Sequence, residues 1–120
     1  MSNQYHESVE SLDENAKEYV RALNSLKEEI EAVDWYQQRI DASIGDEELQ
    51  GILAHNRDEE IEHAAMLIEW LRRNMPAWDE ELRTYLFTEG PIVGIEEGET
   101  NNEETDGEEV EKGLNIGDLK

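Results

Sequence analysis

Cysteine is absent from this 120-residue chain, which excludes disulfides, zinc–thiolate sites and thiol nucleophiles. Basic residues are scarce: 10 Lys and Arg stand against 32 Asp and Glu, for a formal net charge of −22. Nucleic acid and anionic lipid surfaces repel such a chain, whereas cations are drawn to it. No run of about 18 apolar residues occurs, so no membrane-spanning helix is expected. The first residues, MSNQYHESVESLDE, lack both the basic stretch and the apolar core of a secretory leader. These absences predict a soluble, cytosolic protein of one domain.

Glycine and proline are missing from residues 9–42, where apolar side chains recur at helical spacing from Leu12 through Tyr19, Leu26 and Ile30 to Ile40. A long amphipathic helix is expected there. The stretch SIGD (43–46) breaks it, with Gly45 as the stop and Asp46 as N-cap of a second helix. That helix runs to about Asn74, with Arg72 and Arg73 near its C-terminal dipole and Pro76 beyond. A short third helix is predicted over 77–87, and EGP (89–91) is expected to end the regular structure.

Residues 94–112 are rich in Glu, Gly, Asn and Thr and read as a disordered, self-repelling linker. The last residues, GLNIGDLK (113–120), restore apolar side chains at Leu114, Ile116 and Leu119 and read as a docking peptide. The folded part is therefore assigned to 1–93. Two long helices and a short one leave an apolar face open, so assembly with further copies is expected.

The second helix poses a specific problem, because ionisable side chains interrupt the face it must bury. Taking Leu49 as origin and about 100° per residue, Glu60 falls at about +20° and His63 at about −40°. Both are central to the stripe, alongside Leu53, Ala64, Leu67 and Leu71. On the first helix Glu29 lies at about −60° from Leu26 and shares the apolar face, whereas Glu28 and Glu31 point away. An unpaired carboxylate on such a face costs several kcal/mol unless something compensates. A buried Glu–His ion pair or a solvated groove at an interface would serve, and so would a metal ion. Carboxylate-bridged di-iron and di-manganese bundles take one Glu from each of two helices and a Glu-x-x-His from each of two others. Glu29 with Glu60-Ile61-Glu62-His63 supplies half of that set, and a two-fold dimer would complete it.

The segments EEIEAVDWYQQRIDA, AHNRDEEIEHAAMLIEWLRRN and LRTYLFTEGPI resemble the encapsulated ferritins, the ferritin-like cargo of encapsulin nanocompartments, over residues 8–93. The terminal LNIGDLK resembles that family's encapsulation peptide. The resemblance implies an all-α fold: an antiparallel two-helix hairpin with a short third helix. Such chains dimerise into a ferritin-like four-helix bundle and assemble as an annular decamer. It implies a ferroxidase with Glu29, Glu60 and His63 as iron ligands, two ions at each dimer interface. It places Glu28 and Glu31 along a path for incoming metal near a second interface, where calcium or another divalent ion is also expected. Trp35 and Tyr36 match an aromatic pair beside the site, and Tyr36 is expected to donate to a ligand carboxylate. His55, Glu59 and Glu62 are expected at an outer metal site or on a merely solvated acidic face. Arg57 and Asp58 read as surface charges, and Met66 and Met75 as core fillers. The partner implied is the encapsulin shell, reached through residues 113–120.

Rival readings remain at this stage. A rubrerythrin-like peroxidase uses the same di-iron ligands, although cysteines for a second iron centre are lacking. A non-catalytic helical adaptor would hold Glu60 and His63 as ion pairs. Ligand type alone also admits manganese or zinc.

Overall fold

A computed structural model of the chain describes residues 5–98. The chain divides into two units, Met1–Met75 and Pro76–Lys120. In the first, a 3-10 turn at Val9–Ser11 precedes α1 (Glu14–Ala42) and α2 (Glu47–Asn74). The second holds α3 (Pro76–Tyr85) and α4 (Ile92–Gly98). Among the described residues there are no strands, and the all-α expectation holds.

Each boundary has a local cause. Asp13 caps α1 by accepting from the Ala16 amide at 2.7 Å, satisfying one of the otherwise orphaned amides of the first turn. Gly45 adopts a φ of 99°, the left-handed geometry that ends the first helix cheaply only for glycine. Asp46 then caps α2 through the Leu49 amide at 3.0 Å. At its other end, Met75 is extended (φ −131°, ψ 111°), as the residue before a proline must be, and Pro76 opens α3.

Three cross-links fix the hairpin as antiparallel and set its register. Gln50 Nε2 donates to the Ile40 carbonyl at 2.8 Å, Arg57 Nη1 donates to Gln37 Oε1 at 2.8 Å, and His63 Nδ1 lies 3.5 Å from Glu29 Oε1. Residue numbers climb on α2 as they fall on α1, so the turn at 43–46 sets which residues face each other further along.

The core of this chain is thin. Among the described residues only Ala22, Leu26 and Leu71 are buried hydrophobics, while Ile30 is 56% and Ile52 54% exposed. Leu23, Leu26 and Ile30 line an open groove along α1, rimmed by Lys27, Glu31 and Asp34. Met66 is 57% exposed, against its expected role as a core filler. It lies at about −100° from Leu49, on the margin of the stripe and not at its centre.

In the second unit, α3 ends at Tyr85, two residues earlier than expected, and Phe87 takes the left-handed φ of 62° usually left to glycine. Regular structure does not end at 89–91: Pro91 is followed by α4, whose first residues, Ile92 and Val93, are exposed. The linker expectation is thus corrected for 94–98, which are helical. The rest of the linker and the docking peptide (99–120) lie outside the described residues.

Gly51 sits one turn into α2, and a Cβ built there meets nothing within 4 Å. Glycine in an exposed helix interior costs about 0.5–1 kcal/mol relative to alanine. Gly51→Ala is therefore expected to raise stability by that amount, read as a higher denaturant midpoint at unchanged slope. A lower midpoint would mean that another chain packs directly on Gly51.

Candidate metal centre

The hairpin brings together three side chains from its two helices. Glu29 comes from the middle of α1, and Glu60 and His63 from one face of α2, where i, i+3 spacing makes them neighbours. One candidate ligand atom from each lies within 4.8 Å of the other two, and all three side chains are half-buried. His63 Nδ1 is 3.3 Å from Glu60 Oε1 and 3.5 Å from Glu29 Oε1.

Electrostatics makes the cluster unusual. Glu29 Oε1 is shielded from solvent and has no hydrogen-bond donor. Its carboxyl is pushed above the usual range because Glu60 hydrogen-bonds to its protonated form, and burial and the charge of Glu60 act the same way; His63 opposes them. Glu60 is correspondingly lowered, since it accepts that proton and faces His63. For His63 the largest single influence is desolvation, which lowers its pKa. The Glu60 hydrogen bond and the negative charges of Glu29 and Glu60 together outweigh it, and the net direction is up.

Two carboxylates and an imidazole with their acceptor atoms converging form a donor set suited to a divalent or trivalent first-row metal. The orphaned oxygen on Glu29 is what a cation would satisfy. The residues present therefore fit a metal ion, and each chain supplies three protein donors.

The other residues singled out by sequence are placed differently. Glu28 and Glu31 are exposed on α1 and join no three-residue cluster of candidate ligands among the described residues. Trp35 is 51% exposed, and the Tyr36 ring carries the Arg39 guanidinium 5.2 Å from its centroid. Within the chain, the structure does not bring either aromatic into the triad. His55 and Glu59 pair at 3.6 Å, and Glu62 does not join them in a three-ligand cluster. Arg57, read from sequence as a surface charge, is half-buried and clasps Gln37 across the hairpin. Its angle of about 80° from Leu49, at the edge of the stripe, was the available signal.

With this geometry in hand, comparison with known proteins is informative. Residues 4–89 match the EncFtn-like family. The encapsulated ferritin-like protein of Rhodospirillum rubrum is 56% identical, the match covering 99% of this chain and 89% of its own. The chain belongs to the encapsulated ferritin family. A ferritin-like protein of Thermotoga maritima is 62% identical over 107 residues, 89% of this chain and 93% of that one. The crystal structure of protein ne0167 from Nitrosomonas europaea superposes with a TM-score of 0.69 at 57% identity, covering 73% of this chain and 96% of that chain. Encapsulated ferritin membership, together with the helical hairpin, establishes a ferritin-like fold and an iron-related role. No helix among the described residues is long and apolar enough to cross a membrane.

The pKa directions fix the sign of a pH effect. Glu29 and His63 are raised, so the stability each contributes to the metal-free protein is present at low pH and lost as pH climbs through its folded value. Glu60 is lowered and behaves oppositely, its contribution being lost only in acid. A divalent cation must displace the protons on Glu29 and His63, so its affinity rises over the same interval. As pH rises above about 6.5, the ordinary histidine value, the thermal midpoint in chelator is expected to fall, and stabilisation by added Co²⁺ to grow. Parallel curves with and without cobalt would show that no cation occupies the triad.

Proposed function

We propose that the protein is a ferroxidase, oxidising Fe²⁺ to Fe³⁺ at a di-iron site formed where two copies meet. We further propose that it delivers the iron for storage inside a cytoplasmic encapsulin compartment. The observation that carries this is the convergence of Glu29, Glu60 and His63 within 4.8 Å around a shielded, donorless carboxylate oxygen. Two such half-sites related by a two-fold axis would supply four carboxylates and two imidazoles, the donor count of a ferritin-like di-metal centre.

Iron is the substrate. Hard carboxylate oxygens favour Fe³⁺ over Fe²⁺, which lowers the potential and drives oxidation. Two ferrous ions give up one electron each, and dioxygen takes the pair with two protons and leaves as hydrogen peroxide; with peroxide as oxidant the same pair reduces it to water. The Glu60 carboxylates would be shared between the two ions, and each ion would also take one Glu29 and one His63. Glu28 and Glu31, exposed on the acidic α1, would guide incoming Fe²⁺ and bind calcium or another divalent ion there, an effect that salt weakens. Trp35 and Tyr36 would flank the site once the second copy is present.

Storage needs an enclosed volume, which an open ring of subunits lacks. The relative from Rhodospirillum rubrum is named as encapsulated, and residues 113–120 supply an apolar peptide at the end of an acidic tether. We assign that peptide to docking on the encapsulin shell, and the thin core of the hairpin to burial within an annular decamer. A second reading has one observation in its favour. Contacts of 3.3 and 3.5 Å from His63 Nδ1 to Glu60 and Glu29 are also those of metal-free ion pairs in an adaptor without catalysis.

The deciding experiment is Fe²⁺ oxidation in air, followed at the ferric absorbance band, for the wild type, Glu60→Ala and His63→Ala. Turnover in wild type and its loss in both variants, with helicity kept, supports the ferroxidase; three traces at the uncatalysed rate support the adaptor. Because each chain supplies half a site, metal is also expected to promote association. Native mass measurement should find smaller species in chelator than with Fe²⁺ or Co²⁺, and equal assembly in both would refute the shared site.

A further inference from the structure

Glu59 is the residue before Glu60 and lies one helical turn before His63, and its carboxylate stands between two imidazoles. Oε1 is 4.0 Å from His63 Nε2, and Oε2 is 3.6 Å from His55 Nε2. The chain has three histidines, and two of them flank this one side chain. On His63 the opposite ring nitrogen, Nδ1, is the one that faces Glu60 and Glu29.

The two nitrogens of a neutral imidazole have different duties. One presents a lone pair and can bind a cation; the other carries the hydrogen and can only donate. In this arrangement Nδ1 turns to the carboxylate pair and Nε2 to Glu59. A carboxylate that accepts the N–H of a ligating imidazole fixes the ring's orientation and tautomer and raises its basicity as a ligand. The adjacent acids do not share this placement. Asp58 is held by Arg57 at 3.0 Å, and Glu62 makes no described ion pair with His63.

We propose that Glu59 is a positioning residue, accepting the Nε2–H of His63 and thereby holding Nδ1 toward the metal. This rests on the metal-binding reading of Glu29, Glu60 and His63. The separation of 4.0 Å exceeds a hydrogen bond of about 3 Å. Glu59 is 49% exposed, and a shift of about 1 Å in its side chain would close the gap. His55 steadies the other oxygen, so that His55, Glu59 and His63 form a line along one side of α2 at intervals of one turn. Glu59 thus serves the metal centre from outside, in addition to any part it takes in an outer site with His55 and Glu62.

The test uses the full-length protein and Co²⁺ alone as probe, with affinity read from the visible ligand-field band. Glu59→Ala is expected to weaken binding by about 10- to 100-fold. Glu59→Gln keeps an acceptor oxygen without the charge and should recover most of that loss. Asp58→Asn removes one negative charge next door and should stay within about threefold of wild type, as for an exposed charge. In the cobalt-loaded protein, the hyperfine-shifted ring N–H of His63 should exchange slowly with solvent in wild type and Glu59→Gln, and faster in Glu59→Ala. Equal affinity in Glu59→Ala and wild type would overturn the positioning role while leaving the metal site intact. Equal losses in Glu59→Ala and Asp58→Asn would reduce it to bulk charge. A wild type that binds no cobalt would defeat the metal reading itself, and the positioning role with it.

Discussion

Two carboxylates held together out of water need a positive charge between them, and the arrangement of the hairpin follows from that need. Like charges this close disfavour each other's ionisation, and one of the two carboxyls takes a raised pKa. Glu29 and Glu60 face that repulsion across the two helices. Without a cation the pair shifts in opposite directions: Glu60 and burial push the Glu29 carboxyl up, and Glu60 itself is lowered. His63 relieves the repulsion when protonated. A cation placed among these side chains would answer the same field that raises the Glu29 pKa.

The second incompleteness is apolar. Three buried hydrophobic side chains among the described residues do not hold two helices of nearly thirty residues each against the entropy of ordering them. Ile30 and Ile52 are left in solvent, and the groove over Leu23, Leu26 and Ile30 is open along α1. Helices of this length are stable mainly when an amphipathic face is packed. The chain by itself has a thin core and one three-residue donor cluster; on the proposed reading a second copy would complete both.

Much of this was legible because helices are regular. Once Gly45 and Asp46 fixed the turn and both helices ran without interruption, the angular positions of Glu29, Glu60 and His63 determined that they would meet. The misses have physical causes too. Gly94, Gly98 and the acids between them look like linker composition, yet Pro91 starts a short helix that those residues continue. Met66 counts as apolar in any periodic reading, but it sits at the stripe's margin, where burial depends on a neighbour the sequence does not specify. The two contacts of Glu59 were not legible for a related reason. Spacing of i, i+4 runs both ways along a helix, toward His55 and toward His63, and only coordinates show that its two oxygens divide between them. Trp35 and Tyr36 follow each other in sequence and so point to different sides, one to solvent and one to Arg39; no single-chain argument assigns them to a shared site.

Net charge ties the two incomplete halves together. Copies carrying −22 each repel at long range, so the burial of apolar faces must overcome that repulsion before two chains meet. A cation bound between them, as proposed, would remove the worst of it at the point of closest approach, where screening by salt is least effective. Linkage then makes the relation reciprocal: to whatever extent metal tightens association, association tightens metal by the same factor. On the proposed ferroxidase reading, this would give the acidic surface a function beyond attraction. It would keep a metal-free interface weak enough that site occupancy, and not apolar contact alone, would decide how firmly two copies hold.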